Sequence, residues 1–263
     1  MSDTESGLPA HLSASSISTF KQCPLRFKLS RIDKIPEPPT RQTLMGNFVH
    51  DSLEHFYNTV EPSQRSLQQA KESAKLVWEE GNWEERVRPF LGGQSLNEFR
   101  WSSWWCIENL FNLENPQLIN PSGVEFEVNA QINGVTIKGF IDRWMQIDDT
   151  ITISDYKTGK VPSPRYMEDK FFQLVLYSLL LTEMGITAEN TQLELLYLKD
   201  GVRRHHKPKE IDYKTAINLV TTTKKEIDEA YENNKWPAVP SKLCDWCIYK
   251  SSVCSYWNKT NER

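Results

Sequence analysis

The sequence predicts an α/β protein: a core sheet behind a helical front end. Three observations carry this. Apolar residues recur at helical spacing up to about residue 113; extended apolar runs cluster between residues 124 and 157; and a helix, two short strands and a last helix follow. The 263 residues suffice for one large domain or two small ones, and 38% hydrophobic content with nine Trp supplies a core.

In chain order, Met1 to Ser13 is polar and reads as a disordered tail, leaving residues 14–263 as a single domain. Ser15 or Ser16 can cap a helix carrying Ile17, Phe20 and Phe27, which Pro24 interrupts. Pro36-Glu37-Pro38-Pro39 is a linker. A strong helix, Arg41 to Thr59, places Leu44, Phe48, Leu53 and Phe56 at helical spacing. Ser63 to Glu80 and Leu96 to Leu113 are further helices, and Trp101, Trp104 and Trp105 of the second are expected in the core. Val124 to Ile132, Val135 to Ile147 and Thr150 to Lys157 read as strands. A helix from about Tyr166 to Glu183 follows, then short strands Gln192 to Leu198 and Val202 to Lys209 around the turn Asp200-Gly201. Ile211 to Tyr231 is the last helix, and a Cys-rich tail closes the chain.

Net charge is −4 and the pI about 5.8, so contact with nucleic acid requires a local basic groove. There is no run of membrane-spanning length and no signal-peptide layout, so a cytoplasmic location without membrane contact is expected. In a reducing compartment the five Cys read as metal ligands or core thiols rather than disulfides.

The chemistry concentrates at Asp142, Asp155, Tyr156 and Lys157. If Asp148-Asp149 is a two-residue turn, Ile147 pairs with Thr150 and Asp142 falls opposite Asp155. Alternation then puts Asp142, Asp155 and Lys157 on one face. Facing residues have Cβ atoms roughly 4.5–5.5 Å apart, where like charges repel. A bridging divalent cation such as Mg²⁺ or Mn²⁺ resolves that repulsion; a surface hairpin with scattered charges is the plainer alternative. Lys157 can position or help deprotonate a water, or stabilise charge at phosphorus, and the Tyr156 carbonyl is a further candidate ligand. Gly159 permits a sharp exit from the strand.

Gly46, His50 and Glu54 lie one turn apart on one helix face. His50 can reach a metal or serve only structure; His55 points elsewhere. Gln173 and Tyr177, also one turn apart, suit contact with a nucleic-acid strand, although a core Tyr has the same pattern. Cys244-Asp245-Trp246-Cys247, with Cys254 six residues further and Cys23 near the N-terminus, offers four thiolates for an iron–sulfur cluster or Zn²⁺. Cys106, among tryptophans, reads as a buried free thiol. Lys199, Arg203, Arg204, His205, His206, Lys207 and Lys209 form either a phosphate track or a charged solvated edge.

Together, Gly46-x-x-x-His50, Gly139-Phe140-Ile141-Asp142-Arg143, Asp155-Tyr156-Lys157-Thr158-Gly159 and Gln173-x-x-x-Tyr177 resemble the RecB-like branch of the PD-(D/E)XK nuclease superfamily. The flanking Cys23, Cys244, Cys247 and Cys254 resemble its iron–sulfur version, which includes CRISPR-adaptation exonucleases and nuclease domains of helicase–nucleases. The resemblance runs from about Ser15 to Tyr256 and is specific because the short motifs occur in order.

It implies a restriction-endonuclease-like core, a mixed central sheet flanked by helices, with a C-terminal Cys-rich cluster region. It implies that His50, Asp142, Asp155 and the Tyr156 carbonyl bind Mg²⁺ or Mn²⁺, that Lys157 assists the water, and that Gln173 and Tyr177 support the site. An imidazole ligand favours Mn²⁺. The four cysteines would carry a [4Fe–4S] cluster stapling the ends. Family members place an acid on the preceding strand, and Glu125 and Glu127 both qualify. The implied activity is metal-dependent exonucleolytic hydrolysis of single-stranded DNA or DNA ends, in repair, recombination, phage or CRISPR-related processing. The rivals are a catalytically quiet iron–sulfur DNA-binding or assembly module and a zinc-stapled protein. The sequence has no P-loop, so any helicase partner would be another protein.

Overall fold

A computed structural model describes residues 7–163 and 168–258. The described parts of Met1–Pro38, Asn129–Gly139 and Ile211–Arg263 form one compact unit, and those of Pro39–Val128 and Phe140–Glu210 form another.

The first unit opens with α1 (Ala14–Gln22) and α2 (Pro24–Phe27). Ser13 rather than Ser15 or Ser16 caps α1; Ser16 is its reciprocal partner in the capping box. Pro24 interrupts as expected, becoming the first residue of α2. Within the segment read as a disordered tail, Leu12 is buried and pairs with Ile137. Met1 to Ser6 of that tail lie outside the described residues. Phe20, Phe27 and Trp236 cluster edge-on and stacked.

In the second unit, α3 (Arg41–Thr59) starts at a Thr40/Thr43 capping box. α4 (Leu67–Glu80) starts four residues later than the expected Ser63, because Ser66 takes the cap after a 3-10 turn at Pro62–Gln64. α5 (Trp83–Val87) is short, and α6 (Leu96–Leu113) opens on a Ser95/Glu98 capping box. α3, α4 and α6 pack around Phe48, Phe56, Trp83, Phe99 and Leu110. Trp101 and Trp105 are not in that core: they are 72% and 54% exposed, while Trp104 is half-buried against it. The three lie at i, i+3 and i+4 and so share one side of α6, but the core side of that helix is taken by Phe99, Cys106, Ile107 and Leu110, leaving Trp104 at its margin and Trp101 and Trp105 outside it.

Five strands follow: β1 (Gly123–Ile132), β2 (Val135–Ile147), β3 (Thr150–Lys157), β4 (Asn190–Tyr197) and β5 (Val202–His206). They form one mixed sheet in the order β1-β2-β3-β4-β5. β2 and β3 pair antiparallel, β3 and β4 parallel, β4 and β5 antiparallel. The β2–β3 register runs from Ile147↔Thr150 to Arg143↔Ser154, as the Asp148-Asp149 turn predicts, and Asp148 adopts φ 48°. α7 (Phe172–Glu183) carries the β3–β4 crossover and is buried nearly all round. It is preceded by a 3-10 turn at Glu168–Phe171; Tyr166, where the helix was expected to begin, lies outside the described residues. β5 stops at His206, ahead of Pro208, which has no amide to give a ladder. α8 (Glu210–Glu232) belongs to the first unit from Ile211 onward.

A buried ionic network organises the second unit. Arg143 of β2, 1% exposed, donates both terminal nitrogens to Glu114 just beyond α6. Glu114 also accepts from Tyr57 of α3 and lies 3.4 Å from Arg203 of β5. Ser154 of β3 bridges Arg143 and Glu194 of β4. Arg143 and Ser154 neighbour Asp142 and Asp155, so strand alternation puts the network on one sheet face and the two acids on the other. Among the described residues no helix is long and apolar enough to cross a membrane.

Candidate active site

α3 turns its apolar face to the core and leaves Gly46, His50 and Glu54 along the rim of a cleft. The cleft, of about 720 Å³, is also lined by Asp51, Glu125, Phe140 and Thr158. A Cβ at Gly46 would stand 3.4 Å from the Thr158 hydroxyl, so the helix runs close to the end of β3.

His50 is held from two sides. Its Nε2 is 3.0 Å from the Tyr156 carbonyl, which can only accept, so the proton of a neutral ring sits on Nε2. Nδ1 faces Glu125 Oε1 and Asp142 Oδ2, each 3.6 Å away: the protonated ring turns an N–H towards the acids, and the neutral ring leaves a lone pair there for an ion. These three residues bring ligand atoms mutually within 4.8 Å. The Tyr156 carbonyl, expected as a direct ligand, is engaged with His50.

Asp142 and Asp155 are both buried. The ladder stops one pair short of them, and Asp142 Oδ2 instead accepts the Tyr156 amide at 2.7 Å. Asp155 faces Lys157, whose Nζ lies 2.6 Å from Oδ2. Asp155 is therefore set beside the trio, tied to the lysine, rather than within it. The Tyr156 ring points the other way into the core, under the Arg143 guanidinium.

The charges are strained in the way a cation relieves. Burial and the neighbouring Asp155 push Asp142 up to about 7, against the pull of His50 and the Tyr156 amide. Burial opposes charge on His50, but Asp142, Glu125 and Asp155 outweigh it and raise its pKa to about 9. Burial likewise opposes the Lys157 charge, and Asp155 more than compensates, shifting it upward. Asp51 and Glu54 are also raised, chiefly by burial. Five carboxylates thus crowd the site, with His50 and Lys157 among the acids and Arg86 acting on Asp51, a donor set suited to Mg²⁺ or Mn²⁺.

The structure separates Glu125 from Glu127. Glu125 adopts φ 44°, a left-handed conformation within β1. It breaks the alternation that would have given both acids one face: Glu125 turns towards His50, and Glu127 is exposed. A non-Gly residue held there costs about 1–3 kcal/mol, strain that clusters at functional sites. Asp51 escaped sequence reasoning because nothing distinguishes it from any acid on a half-buried helix.

Gln173 donates to the Tyr177 hydroxyl at 3.1 Å. Burial, Asp155 and Asp142 raise the Tyr177 pKa, whereas Gln173 and the Phe140 backbone lower it, so the pair flanks the acids. The basic hairpin does not form a continuous track: Arg203 is paired with Glu114 and Glu194, and His205 Nδ1 lies 3.4 Å from Glu194.

In the first unit Cys23, Cys244, Cys247 and Cys254 line one cavity with Leu25, Leu29 and Tyr249. All four are free and half-buried. Cys23 sits at the α1–α2 junction, and Cys244 lies in a 3-10 turn (Lys242–Trp246) where its sulfur accepts the Ser241 amide at 3.4 Å. Thiols from both chain ends thus converge, a soft donor set suited to an iron–sulfur cluster or zinc. Cys106 is a buried free thiol, pushed up to about 11 by burial.

A family model described as the PD-(D/E)XK nuclease superfamily matches residues 11–255. The Gene 69 protein of Mycobacterium phage L5 is 27% identical over 222 residues, covering 68% of this chain and 72% of that protein. The Gene 69 protein of Mycobacterium phage D29 is 24% identical over 267 residues, covering 89% and 93%. The crystal structure of a candidate exonuclease from Eubacterium rectale superposes with a TM-score of 0.57 at 12% identity, covering 97% of this chain and 94% of that one. At that identity the likeness speaks to the fold.

Proposed function

The chain belongs to the PD-(D/E)XK nuclease superfamily, and from that premise we propose that it is a metal-dependent DNA exonuclease acting on single strands or ends. The observation that carries this reading is the convergence of Glu125 and Asp142 on His50 Nδ1, with Lys157 held on Asp155 beside them. His50, Glu125 and Asp142 would hold the ion, with Asp155 beside them; the Tyr156 carbonyl, engaged by His50 Nε2, would act through the imidazole rather than as a ligand. Bound Mg²⁺ or Mn²⁺ supplies Lewis-acid stabilisation of charge on the phosphate and lowers the pKa of water.

The remaining work falls to the chain's own groups. The Tyr156 carbonyl fixes the His50 tautomer. The Tyr156 amide holds the Asp142 carboxylate in place. Lys157 orients the attacking water and places positive charge by the phosphorus as negative charge develops. Gln173 and Tyr177 brace the site and contact the strand, and Phe140, 46% exposed on the cleft wall, offers a stacking surface. We read residues 14–263 as one functional domain, in phage replication, recombination, repair or CRISPR-related processing; the two phage relatives favour the first.

An exonuclease requires an end. With Mn²⁺, linear single-stranded DNA is expected to be degraded and the same sequence as a closed circle to survive. Equal loss of both would replace the exonuclease reading with an endonuclease.

The four cysteines are assigned a structural [4Fe–4S] cluster joining the two chain ends. Anaerobically purified protein is expected to contain about four irons per chain, and Cys254→Ser to lose iron and melt lower. Stoichiometric zinc without iron, or a Cys254→Ser variant with full iron and unchanged melting, would remove the assignment.

A further inference from the structure

α4 and α6 present facing stripes to a second cleft in the same unit as the candidate active site. Lys71, Lys75 and Trp78 follow one face of α4 at i, i+4 and i+7. Arg100 and Trp104 lie one turn apart on α6, with Trp101 beside Arg100. These six line a groove of about 460 Å³ floored by Phe48 of α3. Trp78 and Trp104 are half-buried, whereas Trp101 is 72% exposed. The Arg100 guanidinium lies 5.4 Å from the centre of the Trp78 ring. Among the described residues no carboxylate lines the groove. Lys75 meets Glu79 at 3.8 Å, an exposed pair of little strength. Phe48 and His50 are two residues apart on α3, so the groove lies on the opposite side of that helix from the candidate active site.

We propose that this groove binds single-stranded DNA beyond the point of cleavage, with a base stacked on Trp101 and phosphates near Lys71, Lys75 and Arg100; the inference rests on the nuclease reading above. Every base has a face for an indole, so the stacking is tolerant of sequence, and the three cations suit the backbone. An apolar partner helix would use the aromatic floor but leave those cations without counter-charge.

The test is fluorescence anisotropy of a labelled oligothymidine on the full chain, purified anaerobically, with Mn²⁺. Lys157→Ala serves as the background so that the strand is not cut. Adding Trp101→Ala is expected to weaken binding about tenfold, within the range for removing one base stack. Adding Lys71→Glu with Lys75→Glu is expected to weaken it and to flatten the salt dependence by about 0.7 in log–log slope for each phosphate no longer neutralised. All three positions are exposed, so folding should be preserved. Unchanged binding in both variants overturns the proposal, and is the result expected if the groove serves a protein partner. The two readings fail separately. Mn²⁺-loaded protein with an intact Lys157 that cuts nothing, together with binding that still depends on Trp101, sinks the nuclease reading and leaves the groove standing. Cleavage with Trp101-independent binding does the reverse.

Discussion

Lys157→Ala is expected to slow cleavage of single-stranded DNA by about 10²–10⁴-fold, the range for loss of a positioned proton-transfer or charge-stabilising group. The side chain is one-third exposed, so the core packing stays intact. What disappears is an ammonium 2.6 Å from Asp155 and directed at the acids. Its charge is matched to the transition state, where the phosphate is most negative, so the loss should fall on kcat more than on KM. Mn²⁺ affinity should survive, since His50, Glu125 and Asp142 are untouched. A variant that cuts like the wild type would move the chemistry elsewhere in the chain. One that loses metal binding along with activity would recast Lys157 as a positioning residue for the acids.

Glu114→Ala is expected to be the most destabilising single change outside the hydrophobic core. Glu114 and Arg143 are 4% and 1% exposed at their side chains, and Glu114 also serves Tyr57 and Arg203. Removing one partner of such a pair leaves an uncompensated buried charge and costs about 3–5 kcal/mol. That corresponds to roughly 6–20 °C in melting temperature for a chain of this size. Burial works against the Glu114 charge, but Arg143, Tyr57 and Arg203 outweigh it and hold its pKa below the usual glutamate value. A carboxyl depressed in the folded state contributes fully above its unfolded pKa, about 4.3. That contribution is lost as pH falls through the lower folded value. Melting temperatures measured from pH 7 downward should show this acid loss in the wild type and a missing component in Glu114→Ala. Melting of the variant at the wild-type temperature at pH 7 would contradict the account. Because Arg143 and Ser154 adjoin Asp142 and Asp155, cleavage should weaken as well.

Much of this was legible in the chain. α3, α6, β2 and β3 have the predicted bounds because hydrophobic periodicity, capping residues and a two-residue turn agreed with one another. The register of the central hairpin, from Ile147↔Thr150 to Arg143↔Ser154, followed from Asp148-Asp149 alone, whereas the end of the ladder one pair before Asp142 and Asp155 did not. Other features depended on backbone geometry or distant partners. The left-handed conformation of Glu125 has no sequence signal, since Gly or Asn is the usual occupant, so Glu125 and Glu127 looked equivalent. Arg203 read as one of seven basic residues until the fold placed it against Glu114 and Glu194. Glu114 itself, past the end of a helix, carries no local mark of its burial. Trp101 and Trp105 show the limit of composition: a large aromatic residue predicts burial on average, and these two face outward for reasons that only the packing of α6 reveals.

The most direct test is digestion of end-labelled linear single-stranded DNA by the wild-type protein, with Mn²⁺ and with a chelator. Stepwise loss of label from one end in Mn²⁺, abolished by the chelator, is the predicted result. Cleavage that continues in the chelator, or no cleavage by protein shown to hold Mn²⁺, would contradict the central claim that these acids and His50 form a metal-dependent nuclease site.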